Sequence, residues 1–321
     1  MLRKNALRAA LALTILFSTL HALAWNSIGH MSVAYAAWQQ LTPAEKARVG
    51  ALLQLNPNYK VWLSYIPAGA SPDDQATYVF IMAATWPDEI KAMGSGYTGN
   101  DNPPKGEAVS LNVGYTDKGL HKYWHFINTP FSQDGTALPP FSGPNTADKI
   151  TDFRTALATS EPDPLKSYDL VWLLHLVGDI HQPLHCANRI TKTAPRGDDG
   201  GNSVVVAGPD KELHAFWDDA VGLGDTKNFS TAVKVGQALP AADPVLAADD
   251  NVNHWAAESF SLAQSAAYIP PVGPGNGPYT MDATYTANVH TIAEQRIALA
   301  GARLATLLKG SLQCGPQSCA N

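Results

Sequence analysis

The sequence predicts an all-α fold: a single multi-helix domain with long irregular loops and at most a small β-hairpin. Three observations carry this. Segments with helix-start signals and helical apolar spacing recur along the chain. Strand-like runs are few, namely Val204-Val205-Val206 and Tyr123 to Ile127. The stretches between are rich in residues that break regular structure.

Taken in order, Thr42-Pro43-Ala44-Glu45 is a capping box with proline at the first helical position. Ala47, Val49, Leu52 and Leu53 follow at helical spacing. Ser71-Pro72-Asp73-Asp74 opens a second helix in the same way, running towards Asp88. A third spans Thr146 to Ala158. A fourth begins near Asp163-Pro164, carries Leu170, Val171, Leu173, Leu174 and Val177, and is stopped by Pro183. Others are expected near 212–220, 249–267 and 284–309, the last Ala/Leu-rich with Arg296 and Arg303 on its polar side. Residues 94–120, 129–145 and 269–280 are loops rich in Gly, Asn or Pro, and loops this long in a compact domain are often functional. No internal repeat and no domain linker is visible.

Residues 1–24 stand apart from the fold. Arg3, Lys4 and Arg8 precede an apolar run from Ala9 to Leu20, and Ala22-Leu23-Ala24 is a small-x-small cleavage site. These are the parts of a secretory signal peptide. The alternative is an uncleaved anchor, for which the apolar run is short. Cleavage would expose Trp25 and leave residues 25–321 as the mature domain, secreted or periplasmic, without a membrane anchor.

The 22 basic residues against 28 acidic ones fall to 19 without that peptide, a formal charge of −9. Nucleic-acid binders are usually basic, so composition argues against wrapping a duplex. Cys314 and Cys319 could close a small loop in an oxidising compartment. Cys186 is then left over and reads as a small buried residue.

The chemistry lies in histidines and aspartates. His175 and Asp179 are four apart on one helix and share a face; His214 and Asp218 repeat the spacing. His185 follows Pro183, His125 sits in Trp124-His125-Phe126-Ile127-Asn128, Asp88 in Trp86-Pro87-Asp88, and His30 lies five residues after Trp25. A lone His-x-x-x-Asp is more often a surface pair than a ligand pair. Two of them, with three further histidines and an aspartate beside aromatic residues, are much harder to dismiss, and neutral imidazoles with carboxylates are what zinc takes in a catalytic site. Asp179 also lies in an apolar helix with no Lys or Arg after Lys166. A buried carboxylate needs a cationic partner, and a metal is the simplest one.

Five motifs, in order from residue 25 to about 220, resemble the zinc-dependent single-strand nucleases of fungi, plants and bacteria, the family of nucleases S-one and P-one. They are Trp25-Asn26-Ser27-Ile28-Gly29-His30, Trp124-His125-Phe126-Ile127, His175-Leu176-Val177-Gly178-Asp179-Ile180-His181-Gln182-Pro183-Leu184-His185, Gly200-Gly201-Asn202, and His214-Ala215-Phe216-Trp217-Asp218. The resemblance implies three zinc ions per chain. One would be held by Asp88, His125 and His175. A second would be held by the α-amino nitrogen and carbonyl oxygen of Trp25 and by His30, with Asp179 bridging the two. The third would be held by His185, His214 and Asp218. Secretion and metal loading would then be coupled, because the α-amine of Trp25 is free only after cleavage.

The resemblance further implies an endonuclease that hydrolyses single-stranded DNA and RNA to 5′-phosphate products, and a 3′-nucleotidase, by in-line attack of a zinc-bridging hydroxide on phosphorus. Asp88 would orient the hydroxide. Lys91 would neutralise the developing charge; the alternative for it is a solvated surface lysine. Phe126 matches a base-stacking aromatic, although core packing would also explain it, Asn128 stands where some relatives contact the base with Asp, and Asn202 would contact phosphate. His181 would support the ligands from behind, and His121, His254 and His290 are structural. Rival readings are a zinc phospholipase C, which resembles this family in fold and metal set, and a non-catalytic periplasmic zinc-binding protein. The chain is expected to be a monomer.

Overall fold

The computed structural model describes residues 25–92, 94–99, 118–141, 145–223 and 227–312. The expected signal peptide and the Cys314–Cys319 loop lie outside these. Twelve α-helices are described, and the fold is all-α as expected: α1 (Ser27–Trp38), α2 (Pro43–Gln54), α3 (Tyr59–Ser64), α4 (Pro72–Ala83), α5 (Trp86–Glu89), α6 (Thr146–Ala158), α7 (Asp163–Asp179), α8 (Leu213–Asp218), α9 (Phe229–Ala238), α10 (Pro244–Ala247), α11 (Val252–Leu262) and α12 (Ala283–Ser311). Among the described residues no helix is long and apolar enough to cross a membrane.

Local chemistry starts these helices where the sequence says they start. Thr42 Oγ1 accepts from the Glu45 amide while Glu45 accepts from the Thr42 amide, closing the capping box of α2. Ser71 caps α4, and Asn145 forms a second capping box with Asp148 for α6. The helix expected to run from Ser71 to Asp88 is broken after Ala83, and Pro87, which has no amide to donate, sits in the first turn of the short α5. The break turns Asp88 out of line with α4.

α7 is the central element. Every residue from Lys166 to Asp179 is buried, and the helix packs against α1, α2, α5, α6 and α12. α1 is buried along its whole length except Ala36, and lies between α12, α9, α4 and α7. Such close approach needs small residues. A Cβ on Gly301 of α12 would lie 2.5 Å from Ala36 Cβ and 3.1 Å from the Val33 carbonyl, neither of which can swing away. Gly301→Ala is therefore expected to lower stability by about 1–3 kcal/mol, measurable by urea denaturation.

A second apolar cluster lies under α8 and the start of α12, built around Phe131, Leu184, Trp217, Tyr268 and Tyr285. Beside it, β1 (Pro130–Phe131) and β2 (Asn188–Arg189) pair in parallel, Pro130 opposite Asn188. They are thus a crossover pair and not a hairpin.

Several local expectations are corrected. Tyr123 to Ile127 is not a strand: Lys122–Trp124 is a 3₁₀ turn, and His121, in the left-handed region (φ 46°), stacks on Trp124 at 3.6 Å. Val204–Val206 makes only isolated bridges, Val205 to Glu212 and Val206 to Tyr279. The 249–267 helix ends as α11 at Leu262 and continues as a π-helical turn, Ala263–Ala267. The arginines on the polar side of α12 face inward. Arg296 and Arg303 are 4% and 1% exposed and share Glu258 of α11.

Candidate metal centre

Four elements converge at the C-terminal end of α7. His175 and Asp179 project from α7, Asp88 from α5, His30 from α1, and His125 from the residue after the 3₁₀ turn. His175 Nε2 lies 3.0 Å from His125 Nδ1, 3.3 Å from Asp179 Oδ2 and 3.5 Å from Asp88 Oδ1. His30 Nε2 lies 3.3 Å from Asp179 Oδ1 and 3.9 Å from Asp88 Oδ2. Asp179 thus turns one oxygen to His30 and the other to His125 and His175. A further group forms where the Pro183–Cys186 3₁₀ turn meets α8: His214 Nε2 is 3.0 Å from His185 Nε2 and 3.6 Å from Asp218 Oδ2. The described residues therefore hold three His/Asp groups with the spacing of metal ligands: His30, His175, Asp179; Asp88, His125, His175; and His185, His214, Asp218.

His175, His185 and His214 are each held in one tautomer by a backbone carbonyl. Nδ1 of His175 donates to the Ala84 carbonyl (2.7 Å), Nδ1 of His185 to the His125 carbonyl (2.7 Å), and Nδ1 of His214 to the Gly200 carbonyl (2.8 Å). A neutral imidazole that donates from Nδ1 presents only a lone pair at Nε2. His185 and His214 consequently aim two lone pairs at each other across 3.0 Å, an arrangement that repels unless a cation sits among the donors.

Protonation is a poor remedy. Burial, reinforced by neighbouring cationic and histidine charges, holds His125, His175 and His185 well below the ordinary imidazole range; burial does the same to His30, and His214 is lowered to about 4. The carboxylates lean the other way. Burial first, and for Asp179 the nearby Asp88, push Asp179 and Asp218 well above the usual range. Both nitrogens of His30, Nε2 of His125 and Oδ1 of Asp179 are buried without a hydrogen-bond partner.

Neutral imidazoles and carboxylates that are mutually repelling, buried and under-bonded fit divalent metal ions. Tetrahedral zinc with ligand bonds of about 2.0–2.1 Å separates its donor atoms by about 3.3 Å, close to the distances above. The carbonyl clamps are the outer contacts by which metal-binding histidines are oriented.

Glycine makes room for this. A Cβ on Gly178 would sit 2.8 Å from His30 Nδ1, and one on Gly200 (φ 62°) 2.5 Å from the Leu184 carbonyl. Trp25 is fully buried with its indole Nε1 donating to the Gly178 carbonyl at 3.1 Å, which brings residue 25 to the same end of α7.

The remaining residues singled out from sequence divide. Lys91 is no solvated lysine: its side chain is 7% exposed and its Nζ donates to Asp88 Oδ1 at 2.7 Å. Phe126 is half-buried against the edge of the main core, and Asn128 is half-buried two residues on. Asn202 is half-buried and donates to the Asp199 carbonyl. His181 turns away from the ligands, donating to the Val177 carbonyl and meeting Arg303 at 3.0 Å. His121 is buried, while His254 and His290 are exposed. Cys186 is a buried free thiol, as expected.

Sequence reasoning passed over two supports. Gln182, fully buried, donates to Asp218 Oδ1 at 2.7 Å. Asp198 receives the Arg189 side chain and the Gly201 amide, and so shapes the turn whose Gly200 carbonyl clamps His214. Gln182 lies inside the longest motif and could have been singled out there. Asp198 carries no local signal, because its partner Arg189 is nine residues away and both are buried only in the fold.

Residues 25–313 match the family described as S1/P1 Nuclease. Similar proteins include two from Arabidopsis thaliana. Endonuclease 4 is 28% identical over 186 residues, 50% of this chain and 57% of that protein. Endonuclease 5 is 26% identical over 255 residues, 73% of this chain and 78% of that protein. The chain thus spans little more than half the length of the first.

Proposed function

The chain belongs to the S1/P1 nuclease family, and we propose that it is a secreted trinuclear-zinc phosphodiesterase. It would hydrolyse single-stranded DNA and RNA endonucleolytically to 5′-phosphate products and remove 3′-phosphates from nucleotides. The observation that carries this reading is the set of three His/Asp groups whose lone pairs and carboxylates face one another in a buried site.

Asp88, His125 and His175 would hold one zinc; His30 and the α-amino nitrogen and carbonyl oxygen of Trp25 a second; Asp179 both; and His185, His214 and Asp218 the third. Zinc in such a site supplies Lewis acidity and a water ionised near neutral pH. The side chains do the rest. Asp88 orients the attacking water. Lys91, bonded to Asp88, faces the negative charge that gathers on phosphorus. Asp218, with one oxygen tied to Gln182, keeps the other for the metal side. Phe126, half-buried next to His125, offers a ring on which an unstacked base would stack, which favours single strands. Three zincs would add six positive charges against three aspartates, giving an acidic protein a cationic cleft.

The depressed imidazoles set the pH response. Free histidine takes up a proton near pH 6.5; these stay neutral in the fold below that, with His214 at about 4. The stability they contribute is present above pH 6.5 and is lost as pH falls towards the folded values. Bound zinc is therefore expected to persist below pH 6.5 and to leave as pH falls towards the folded values. Equilibrium dialysis with metal analysis across pH 4–8 checks this, and half-release already at pH 6.5 would contradict it.

The defining experiment uses the secreted, N-terminally sequenced protein. Three zincs per chain, an N-terminus at Trp25, and chelator-sensitive, zinc-restored cleavage of single-stranded DNA support the proposal. Cleavage of phosphatidylcholine instead would make it a phospholipase. Bound metal without turnover would make it a zinc-binding protein, and the absence of zinc would remove the site assignment.

A further inference from the structure

A metal ligand at a chain terminus meets a physical difficulty. It is tethered on one side only, and terminal residues stay poorly ordered unless something ties them down. Trp25, read above as a zinc ligand through its α-amino nitrogen and carbonyl oxygen, is in that position once the leader is removed. Its indole is fixed by the Gly178 carbonyl, and it folds back over the first turn of α1, where a Cβ on Gly29 would lie 2.6 Å from Trp25 Cβ. The backbone that would bear the ligand atoms is fixed by the next residue.

Asn26 is 3% exposed, and its main-chain and side-chain polar groups are all engaged. Oδ1 accepts from the Gly29 amide at 3.1 Å and caps α1. The Asn26 carbonyl accepts from the amide of His30 at 3.1 Å, and the Asn26 amide donates to the Asp218 carbonyl at 3.3 Å. Nδ2 donates to Asp219 Oδ1 at 2.6 Å and to the Gly222 carbonyl. The cap needs only the oxygen, which serine or aspartate would supply equally well. The two Nδ2 bonds are surplus to it. They run to the end of α8, whose Asp218 belongs to the His185, His214 and Asp218 group. On so short a stem, only asparagine offers one acceptor together with two donors.

We infer that Asn26 is a positioning residue for the mature N-terminus. Its side-chain amide pins residue 25 to the end of α8, and so fixes where the α-amino nitrogen and carbonyl oxygen of Trp25 stand relative to His30 and Asp179. The same residue joins the two sides of the metal centre, since its backbone bonds the carbonyl of Asp218 and the amide of His30. The inference rests on the reading of Trp25 as a ligand and names the contact that would hold that ligand in place.

The test uses the secreted, zinc-loaded protein and two variants, Asn26→Ser and Asn26→Ala, each sequenced so that only chains beginning at Trp25 are compared. Serine keeps the cap and removes both Nδ2 bonds; alanine removes the cap as well. Chelator titration of bound zinc and melting of the chelated chains are measured side by side. Both variants should bind one zinc equivalent roughly ten- to hundredfold more weakly, the range for losing a contact that orients a metal ligand. The chelated Ser variant should melt within about 4 °C of the wild type, and the Ala variant lower. A Ser variant with wild-type zinc affinity would make Asn26 a helix cap alone and overturn the inference. Equal weakening of every bound equivalent would overturn it too, because that is the mark of a general loss of structure. In either case cleavage of single-stranded DNA by the wild type would leave the nuclease reading intact. A wild type that neither binds zinc nor cleaves single-stranded DNA would remove that reading and the positioning role with it.

Discussion

Asp179→Asn is expected to lower hydrolysis of single-stranded DNA about a thousandfold or more, with loss of zinc from the paired site. The substitution keeps the shape and removes the charge. Asp179 faces His30 with one oxygen and His125 and His175 with the other at 3.0–3.3 Å, closer than Asp88, which faces the same three histidines at 3.5–3.9 Å. An amide can offer only one oxygen to these three imidazoles, so the two halves of the cluster lose their common ligand. Several kcal/mol of transition-state stabilisation then disappear, at a factor of ten for about each 1.4 kcal/mol.

The effect on folding should have the opposite sign once metal is stripped. In the metal-free chain Asp179 is a buried carboxylate pushed above its usual range by burial and by Asp88. Its raised value means that this group favours the fold below the unfolded value and loses that contribution as pH rises. At neutral pH the chelated Asn variant should therefore melt at or above the chelated wild type, while the zinc-loaded variant melts below the loaded wild type. Metal analysis, kinetics and paired melting curves check this. A variant with full zinc content and near-normal activity would remove Asp179 from the site.

Arg189→Met should cost about 3–5 kcal/mol of stability in urea denaturation. The Arg189 and Asp198 side chains are both fully buried and 3.1 Å apart. Methionine fills the space but leaves the Asp198 carboxylate without its cation, and burial already pushes Asp198 up. Arg189 also donates to the Gly273 and Gly275 carbonyls at 2.6 and 2.8 Å, so the 269–280 loop loses two of its hydrogen bonds. Because Asp198 shapes the turn that clamps His214, the variant should also bind metal more weakly at the His185, His214 and Asp218 group, as stepwise chelator titration would reveal. A loss below 1 kcal/mol would show that the pair is dispensable.

His175, Asp179, His185, His214 and Asp218 were legible as candidate ligands because their spacing is short-range: i, i+4 on α7 and α8, and a turn enforced by Pro183. The helices with polar caps, α2, α4 and α6, were legible for the same reason, and α7 by the apolar run that follows Asp163-Pro164. α1 was not, although it carries His30. It is buried on nearly every side, so it shows no contrast between an inner and an outer face, and it follows directly on an apolar leader. α9 was missed because Thr231, Val233, Val235 and Gly236 are weak helix formers. Gly236 is required by packing, since a Cβ there would lie 2.5 Å from the Tyr35 ring. Tyr123 to Ile127 has strand-like composition, but tertiary stacking of His121 on Trp124 overrides it. The inward turn of Arg296 and Arg303 could not be read from α12 alone, because the partner, Glu258, lies on another helix.

The packing of α1 against α12 also dictates an order of assembly. The helix that carries His30 is held by the last helix described, and Arg296 and Arg303 of that helix reach the carbonyl and ring of His181, two residues past Asp179. A growing chain therefore contains every histidine and aspartate of the centre long before it can hold them in place. On the nuclease reading proposed above, a chain lacking α12 would carry all of these ligands and yet leave α1 and His181 without these packing partners.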